Sequence, residues 1–200
     1  FANPAEMLKV WKGGMSFHGG VIGSGVALIL FARQTGAPAR SVIDLACAGA
    51  PFGLFLGRIA NFINSEHWGR ETDAAIGMVF PNGGPLPRHP SQLYEAALEG
   101  LVMFIILRFV THTKLGLKRP GLVSGVFLAW YAIARAICEV FREPEPAHAL
   151  NIGPFTAGQM YSIPMLLSGL YFIATARLAK ATEPTDPTAA GVAKSEKVAP

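Results

Sequence analysis

Long apolar runs separated by short polar connections make up most of the chain, and the runs have the length of membrane spans. A hydrocarbon core about 30 Å thick takes roughly 20 mostly apolar residues per helix. Five stretches fit: Met15–Phe31, Val42–Asn64, Tyr94–Val110, Leu122–Phe141 and Gly158–Leu178. The predicted fold class is therefore all-α, a polytopic membrane helix bundle with about five transmembrane helices in the chain. The second run is the least uniform. It carries Pro51, and Gly49, Gly53 and Gly57 recur one turn apart, a side-chain-free groove where another helix or a lipid chain can approach. Thr156 followed by Gln159 reads as a capping box for the last span, and Pro164 is expected to kink it.

The polar connections orient the bundle. Arg33 to Arg40, the Lys114, Lys118 and Arg119 group, and the exit at Arg177 and Lys180 are basic, which places them on the cytoplasmic side. The intervening connections, about Ser65–Leu93 and Arg142–Ala157, mix both signs and face outward. Residues 1–180 form one helical membrane domain. Residues 181–200 are polar, proline-containing and short of large apolar groups, so a disordered cytoplasmic tail is expected.

Composition agrees with a bilayer setting. Of 200 residues, 51% are apolar and only 15% charged, with a mean hydropathy of +0.37. The 22 glycines and 15 prolines are tolerable because neighbouring membrane helices re-satisfy freed backbone groups. A net charge of +4, with no basic stripe interleaved with aromatics, argues against nucleic acid as partner. Cys47 and Cys138 each sit in an apolar run, which speaks against a disulfide scaffold or cysteine metal cluster and for thiols that fill space.

The chemistry lies in polar residues at membrane depth, where a charge costs about 2.5–3.5 kcal/mol on insertion scales. Tyr131, Arg135, Glu139 and Arg142 share one face of the fourth span. Arg135 and Glu139 either glue two helices by mutual neutralisation or serve a site. In GRIANFINSEHWGR, Arg58, Asn61 and Ser65 share a face flanked by Asn64, offering donors suited to phosphate or carboxylate oxygens. Arg58 snorkelling to the headgroups is the alternative. Glu66 and His67 follow at the outer boundary, and Gly69 permits a turn that a side chain would obstruct. His18 lies between glycine pairs near the start of the first span, either hydrated or placed for proton transfer. Glu95 and Glu99 share a face of the third span, where the helix dipole is a sufficient structural reason for Glu95 and less so for Glu99. One outward-facing polar cavity would collect these groups. Its expected ligand is an anion with a hydrophobic remainder, and a phospholipid fits.

MSFHGGVIGSG, GRIANFINSEHWGR, RHPSQLYEAALEG, YAIARAICEVFR with REP after it, and TAGQMYSIPM occur in that order between Trp11 and Met165. In these motifs the chain resembles the prolipoprotein diacylglyceryl transferase family. The resemblance implies a seven-span protein of the bacterial cytoplasmic membrane, so two further spans, with an essential tyrosine in the earliest, are expected upstream of Phe1. It further implies that a periplasm-facing cavity in the catalytic domain binds phosphatidylglycerol. The diacylglyceryl group passes from there to the lipobox cysteine of a preprolipoprotein, giving a thioether and glycerol 1-phosphate without metal or cofactor. By the same resemblance Arg58 contacts the lipid phosphate, Asn61 with Asn64 orients it, and Gly69 shapes the loop above. Arg135 stabilises developing charge, Glu139 holds Arg135, and Tyr131 hydrogen-bonds in the pocket. His18 is the nearest candidate for the base, with Glu66 or the substrate phosphate as alternatives. A transporter or lipid-binding scaffold would instead show paired, interrupted spans in two related halves, which this sequence does not display.

Overall fold

The computed structural model describes residues 17–113, 116, 118–143 and 156–177. Its helices are α1 (Phe17–Thr35), α2 (Ala39–Ile63), α3 (Ser91–Glu95), α4 (Met103–His112), α5 (Leu122–Cys138) and α6 (Ala157–Thr175). A π-helical stretch, Ala96–Val102, joins α3 to α4 without a break. Among the described residues there are isolated β-bridges but no strand. Among the described residues each predicted span overlaps one of these helical runs; the expected start at Met15 and end at Leu178 lie outside them. The chain before Phe17, most of the connection before Thr156 and the predicted tail at 181–200 lie outside the described residues. By length and composition α2, at 25 residues, is long and apolar enough to cross a membrane.

Burial is inverted relative to a water-soluble domain. Asp44, Gln92, Glu95 and Glu99 are buried, while Ile22, Phe52, Leu56, Phe109 and Leu167 are exposed. Charge inside and hydrocarbon outside is the arrangement an apolar solvent demands. A small apolar core of Met103, Leu107 and Val123, with Cys47 and Trp130 against it, binds α2, α4 and α5. Helices α5 and α6 approach each other closely. A Cβ on Gly125 would lie 2.9 Å from the Gly169 carbonyl oxygen, and one on Gly169 would lie 2.6 Å from Ala129 N. Small residues here let the backbones meet. Gly100 does the same where α2 passes the π stretch, its Cβ position being 2.7 Å from Phe55 Cβ. By contrast, a Cβ on Gly49, Gly53 or Gly57 would meet nothing within 4 Å, so that stripe is open rather than packed among the described residues.

One acid inside α2 is structural. Asp44 accepts the Gly121 N–H on Oδ2 at 2.7 Å and the Ser124 N–H on Oδ1 at 2.8 Å. Gly121, at φ 98°, precedes α5 and has no side chain to cap it, so Asp44 supplies the cap from a neighbouring helix. Arg40, one turn earlier, donates to Thr175 Oγ1 at 3.4 Å and lies over the Phe172 ring. These contacts pin the starts of α2 and α5 to the end of α6. Asp44→Ala is expected to cost about 1–2 kcal/mol, since it leaves two buried N–H groups unpaired. Thermal unfolding in detergent, followed by helical circular dichroism, measures the loss. Asp44→Asn, which keeps one acceptor, is expected to lose less.

Candidate active site

At the end of the bundle opposite Asp44, α2, α3, the π stretch and α5 converge on a network of buried ions. Glu95 is its hub. Its Oε2 lies 2.7 Å from Arg58 Nε, and its Oε1 lies 2.9 Å from Arg142 Nη1 and 3.4 Å from Arg135 Nη1. Glu99 lies 3.5 Å from Arg58 Nη2 and 3.8 Å from Arg135 Nη1. Glu139 pairs with Arg135 Nη2 at 3.1 Å and sits 3.8 Å from Arg142 Nε. A Cβ on Gly158 would fall 2.6 Å from the Glu139 carboxylate, so the N-terminus of α6 also faces that acid and favours its charge.

Two features of this network bear on chemistry. The carboxylates of Glu95 and Glu99 are 1% and 0% exposed, whereas the side chains of Arg58 and Arg135 keep 20% and 19%. The positive groups therefore remain partly accessible while the negative groups are enclosed. Moreover, Glu95 Oε2, Glu99 Oε1 and Glu139 Oε2 are held by proximity of charge without an aligned hydrogen bond, even where the ion pair is short. The donor sets of Arg58 and Arg135 are thus not exhausted by these acids, and a planar guanidinium fork suits phosphate oxygens. The π stretch carries Glu99 and widens the helix between the two acids; such insertions commonly accompany functional sites. Trp130 Nε1 donates to the Leu98 carbonyl at 2.9 Å, tying the stretch to α5.

The connection between α2 and α3 folds over this network. Gly69 forms a β-bridge with Arg142, and its N–H donates to the His89 carbonyl at 2.9 Å. Arg70 donates from its backbone N–H to the Phe141 carbonyl at 2.9 Å and from Nε to the Arg142 carbonyl at 2.8 Å. Arg88 donates to the Gly83 and Gly69 carbonyls and pairs with Glu71 and Glu143. The rings of His89, Tyr94 and Phe141 pack edge to face beneath.

Where α2 ends, the backbone is strained. Ser65 and His67 adopt φ of 54° and 58°, a region that costs non-glycine residues of order 1–3 kcal/mol. Gln92 Nε2 donates to the Glu66 carbonyl at 2.7 Å and Ser91 Oγ to the His67 carbonyl at 3.0 Å, so α3 holds the strained turn in place. The Glu66 side chain accepts from Asn61 Nδ2 at 2.8 Å and Asn64 Nδ2 at 3.4 Å, both on Oε1. These amide donors, Asn61 foremost, hold the Glu66 carboxyl below the usual carboxylate range. It is a stable anion at neutral pH and a correspondingly weak base.

Of the residues singled out from sequence, Arg58, Arg135 and Glu139 meet in one network, and Gly69 is stacked above it. Tyr131 lies within the field of Glu99 and Arg135, its ring stacked on Phe127 at 6.1 Å. Arg58 and Asn61 do not form one fork: Arg58 turns to Glu95 and Glu99, while Asn61 and Asn64 turn to Glu66. His18 lies in the first turn of α1, and its side chain is outside the described residues. The central role of Glu95 was not legible, because the dipole of its helix accounted for an acid there. Gln92 and Ser91 were missed; nothing but their polarity at the start of an apolar run marked them.

The molecule is thus a helical protein, with a span long and apolar enough for a bilayer, that buries an arginine–glutamate site under a strained loop. The family model for prolipoprotein diacylglyceryl transferase matches residues 1–175. Proteins named phosphatidylglycerol–prolipoprotein diacylglyceryl transferase are similar to it. That of Nitrobacter hamburgensis is 57% identical over 176 residues, 87% of this chain and 60% of the relative. That of Rhodopseudomonas palustris is 53% identical over 175 residues, 86% of the chain and 61% of the relative. That of Allorhizobium ampelinum is 51% identical over 185 residues, 92% of the chain and 64% of the relative. The chain belongs to the prolipoprotein diacylglyceryl transferase family. It spans about three fifths of the length of these relatives.

Proposed function

We propose that the chain carries the lipid-donor site of a phosphatidylglycerol–prolipoprotein diacylglyceryl transferase, embedded by five spans in a bacterial cytoplasmic membrane. In this reading the site faces the periplasm and the C-terminus, with residues 181–200 as a disordered tail, lies in the cytoplasm, as the lysine and arginine distribution favours. The single observation that carries the reading is the buried network of Arg58, Arg135 and Arg142 with Glu95, Glu99 and Glu139 inside an otherwise apolar bundle. A group of charges that costly to bury has a functional explanation before a structural one.

The substrates are phosphatidylglycerol and the signal peptide of a preprolipoprotein with its lipobox cysteine. The cysteine sulfur attacks the glycerol carbon that bears the phosphate. A C–S bond forms, the C–O bond to phosphate breaks, and the electron pair leaves on oxygen as glycerol 1-phosphate. Arg58 and Arg135 stabilise the charge that grows on the departing phosphate, fixed beforehand by Glu95, Glu99 and Glu139 so that no reorganisation is needed during the reaction. Tyr131 hydrogen-bonds in the same pocket. Asn61, Asn64 and Gly69 shape the site on its outer side. The thiol proton passes to His18 or to the phosphate itself; Glu66, held as a stable anion, serves better as an acceptor than as a base.

The test uses membranes in which the chain is expressed from its gene with whatever flanking sequence that gene encodes. Labelled diacylglyceryl should move from phosphatidylglycerol to a lipobox peptide. Arg58→Ala and Arg135→Ala should each lower that rate by about 10²–10³-fold, the usual consequence of removing a charge-stabilising donor. Unchanged transfer by both variants would remove these roles.

A further inference from the structure

We propose that Glu66 selects the lipid headgroup: its carboxylate, fixed by Asn61 and Asn64, accepts hydrogen bonds from the vicinal hydroxyls of a glycerol headgroup. The inference rests on the lipid-donor reading and deepens it. An ionised carboxylate only accepts, so Asn61 and Asn64 must turn their amide N–H groups toward it, however the amides are otherwise oriented. Both amides converge on Oε1 of an exposed side chain, which leaves Oε2 for a donor from outside. A phosphate placed here would meet a negative charge at close range. The phosphate belongs instead with Arg58, three residues earlier on α2 and roughly 4.5 Å along the helix axis from Asn61. A glycerol attached to that phosphate reaches about this far.

Three headgroup chemistries can be ranked against the site. A vicinal diol presents donors to Oε2 and oxygens to the second N–H of Asn61 or Asn64, so every group finds a partner. An ammonium group, as in phosphatidylethanolamine, can pair with the carboxylate but cannot accept, so it leaves the second N–H of Asn61 and Asn64 to water. A plain alkyl headgroup satisfies neither side. The diol is therefore the preferred occupant, and a carboxylate gripping two adjacent hydroxyls is how dinucleotide-binding proteins hold a ribose. The backbone supports precision: left-handed Ser65 and His67 flank Glu66, with Gln92 and Ser91 pinning the carbonyls of Glu66 and His67. Strain held in place by neighbouring elements is characteristic of positions that must not drift.

The experiment compares phosphatidylglycerol, phosphatidylpropanol and phosphatidylethanolamine of identical acyl chains in mixed micelles, by competition binding and by KM for transfer. The protein should prefer phosphatidylglycerol by roughly tenfold over each of the others, the worth of one hydrogen bond to a charged group. Glu66→Gln keeps an oxygen for Asn61 but presents an N–H where Oε2 stood, and should shrink the preference to about twofold or less. Glu66→Asp retains the charge with the oxygen drawn back, and should fall between. Equal binding of the three lipids by the unaltered protein would overturn the inference, as would a preference that survives Glu66→Gln. So would a Glu66→Gln effect confined to the KM of the lipobox peptide. If binding selectivity appears as expected but no lipid donates its diacylglyceryl group, the headgroup assignment stands and the transferase reading fails.

Discussion

Glu95→Ala is expected to be the most damaging single change in the molecule, lowering stability by about 3–5 kcal/mol. Glu95 lies 2.7 Å from Arg58, 2.9 Å from Arg142 and 3.4 Å from Arg135, and its carboxylate is nearly inaccessible. Its removal leaves three guanidinium groups facing one another with only Glu99 and Glu139 to balance them, in surroundings that screen charge poorly. That loss would consume a large share of an ordinary fold's net stability. Glu95→Gln keeps the shape and loses the charge, so it should fall between Glu95→Ala and the unaltered protein. Thermal unfolding in detergent measures both. The double variant Glu95→Ala/Arg142→Ala should be less unstable than the two single effects summed, because each partner alone leaves the other uncompensated.

Gly69→Ala should cost less stability than Glu95→Ala and should also lower activity. A Cβ there would lie 2.4 Å from the Phe141 carbonyl oxygen, 2.7 Å from the His89 carbonyl oxygen and 2.8 Å from His89 Cβ. Two of these are backbone atoms that cannot rotate aside. Glycine is needed here for space, since its φ is not among the left-handed values that Gly36, Gly84 and Gly121 adopt. Relief requires the loop to lift from the end of α5, breaking the bridge to Arg142 and loosening Arg142 from Glu95. Overpacking of this kind costs about 1–3 kcal/mol. Under the proposed mechanism, a displacement near 1 Å in the aligned groups should lower transfer by about 10²-fold. Unfolding and transfer measured on the same preparation separate the two effects; equal rates in the alanine variant would show that the loop does not position the site.

How much of this was legible depended on periodicity. The positions of α2, α5 and α6 were readable to within about three residues from where apolar runs meet arginine, glycine or a capping threonine. The face joining Arg135 and Glu139 was readable too: four residues is one helical turn. Tertiary pairing was not. Nothing local says that Arg58 would turn to Glu95 and Glu99 while Asn61, three residues on, would turn to Glu66; that choice depends on α3 and the π stretch arriving from a distant part of the chain. The π stretch itself leaves no sequence mark in AALEGLV. Asp44 is a different case. It is an acid within a predicted span, and the rule that singled out Arg135 and Glu139 applied to it equally. Its solution, capping α5 across helices, required knowing that Gly121 could not cap its own helix.

The central claim is that this network grips a lipid phosphate while a sulfur atom displaces it at carbon. The most direct test is product analysis after incubating the protein, expressed with its gene's flanking sequence, with phosphatidylglycerol and a lipobox peptide. The account predicts a peptide carrying diacylglyceryl in thioether linkage on its cysteine, with one glycerol phosphate released for each peptide modified. A peptide that gains only an acyl group, or phosphatidylglycerol recovered intact beside unmodified peptide, would contradict it.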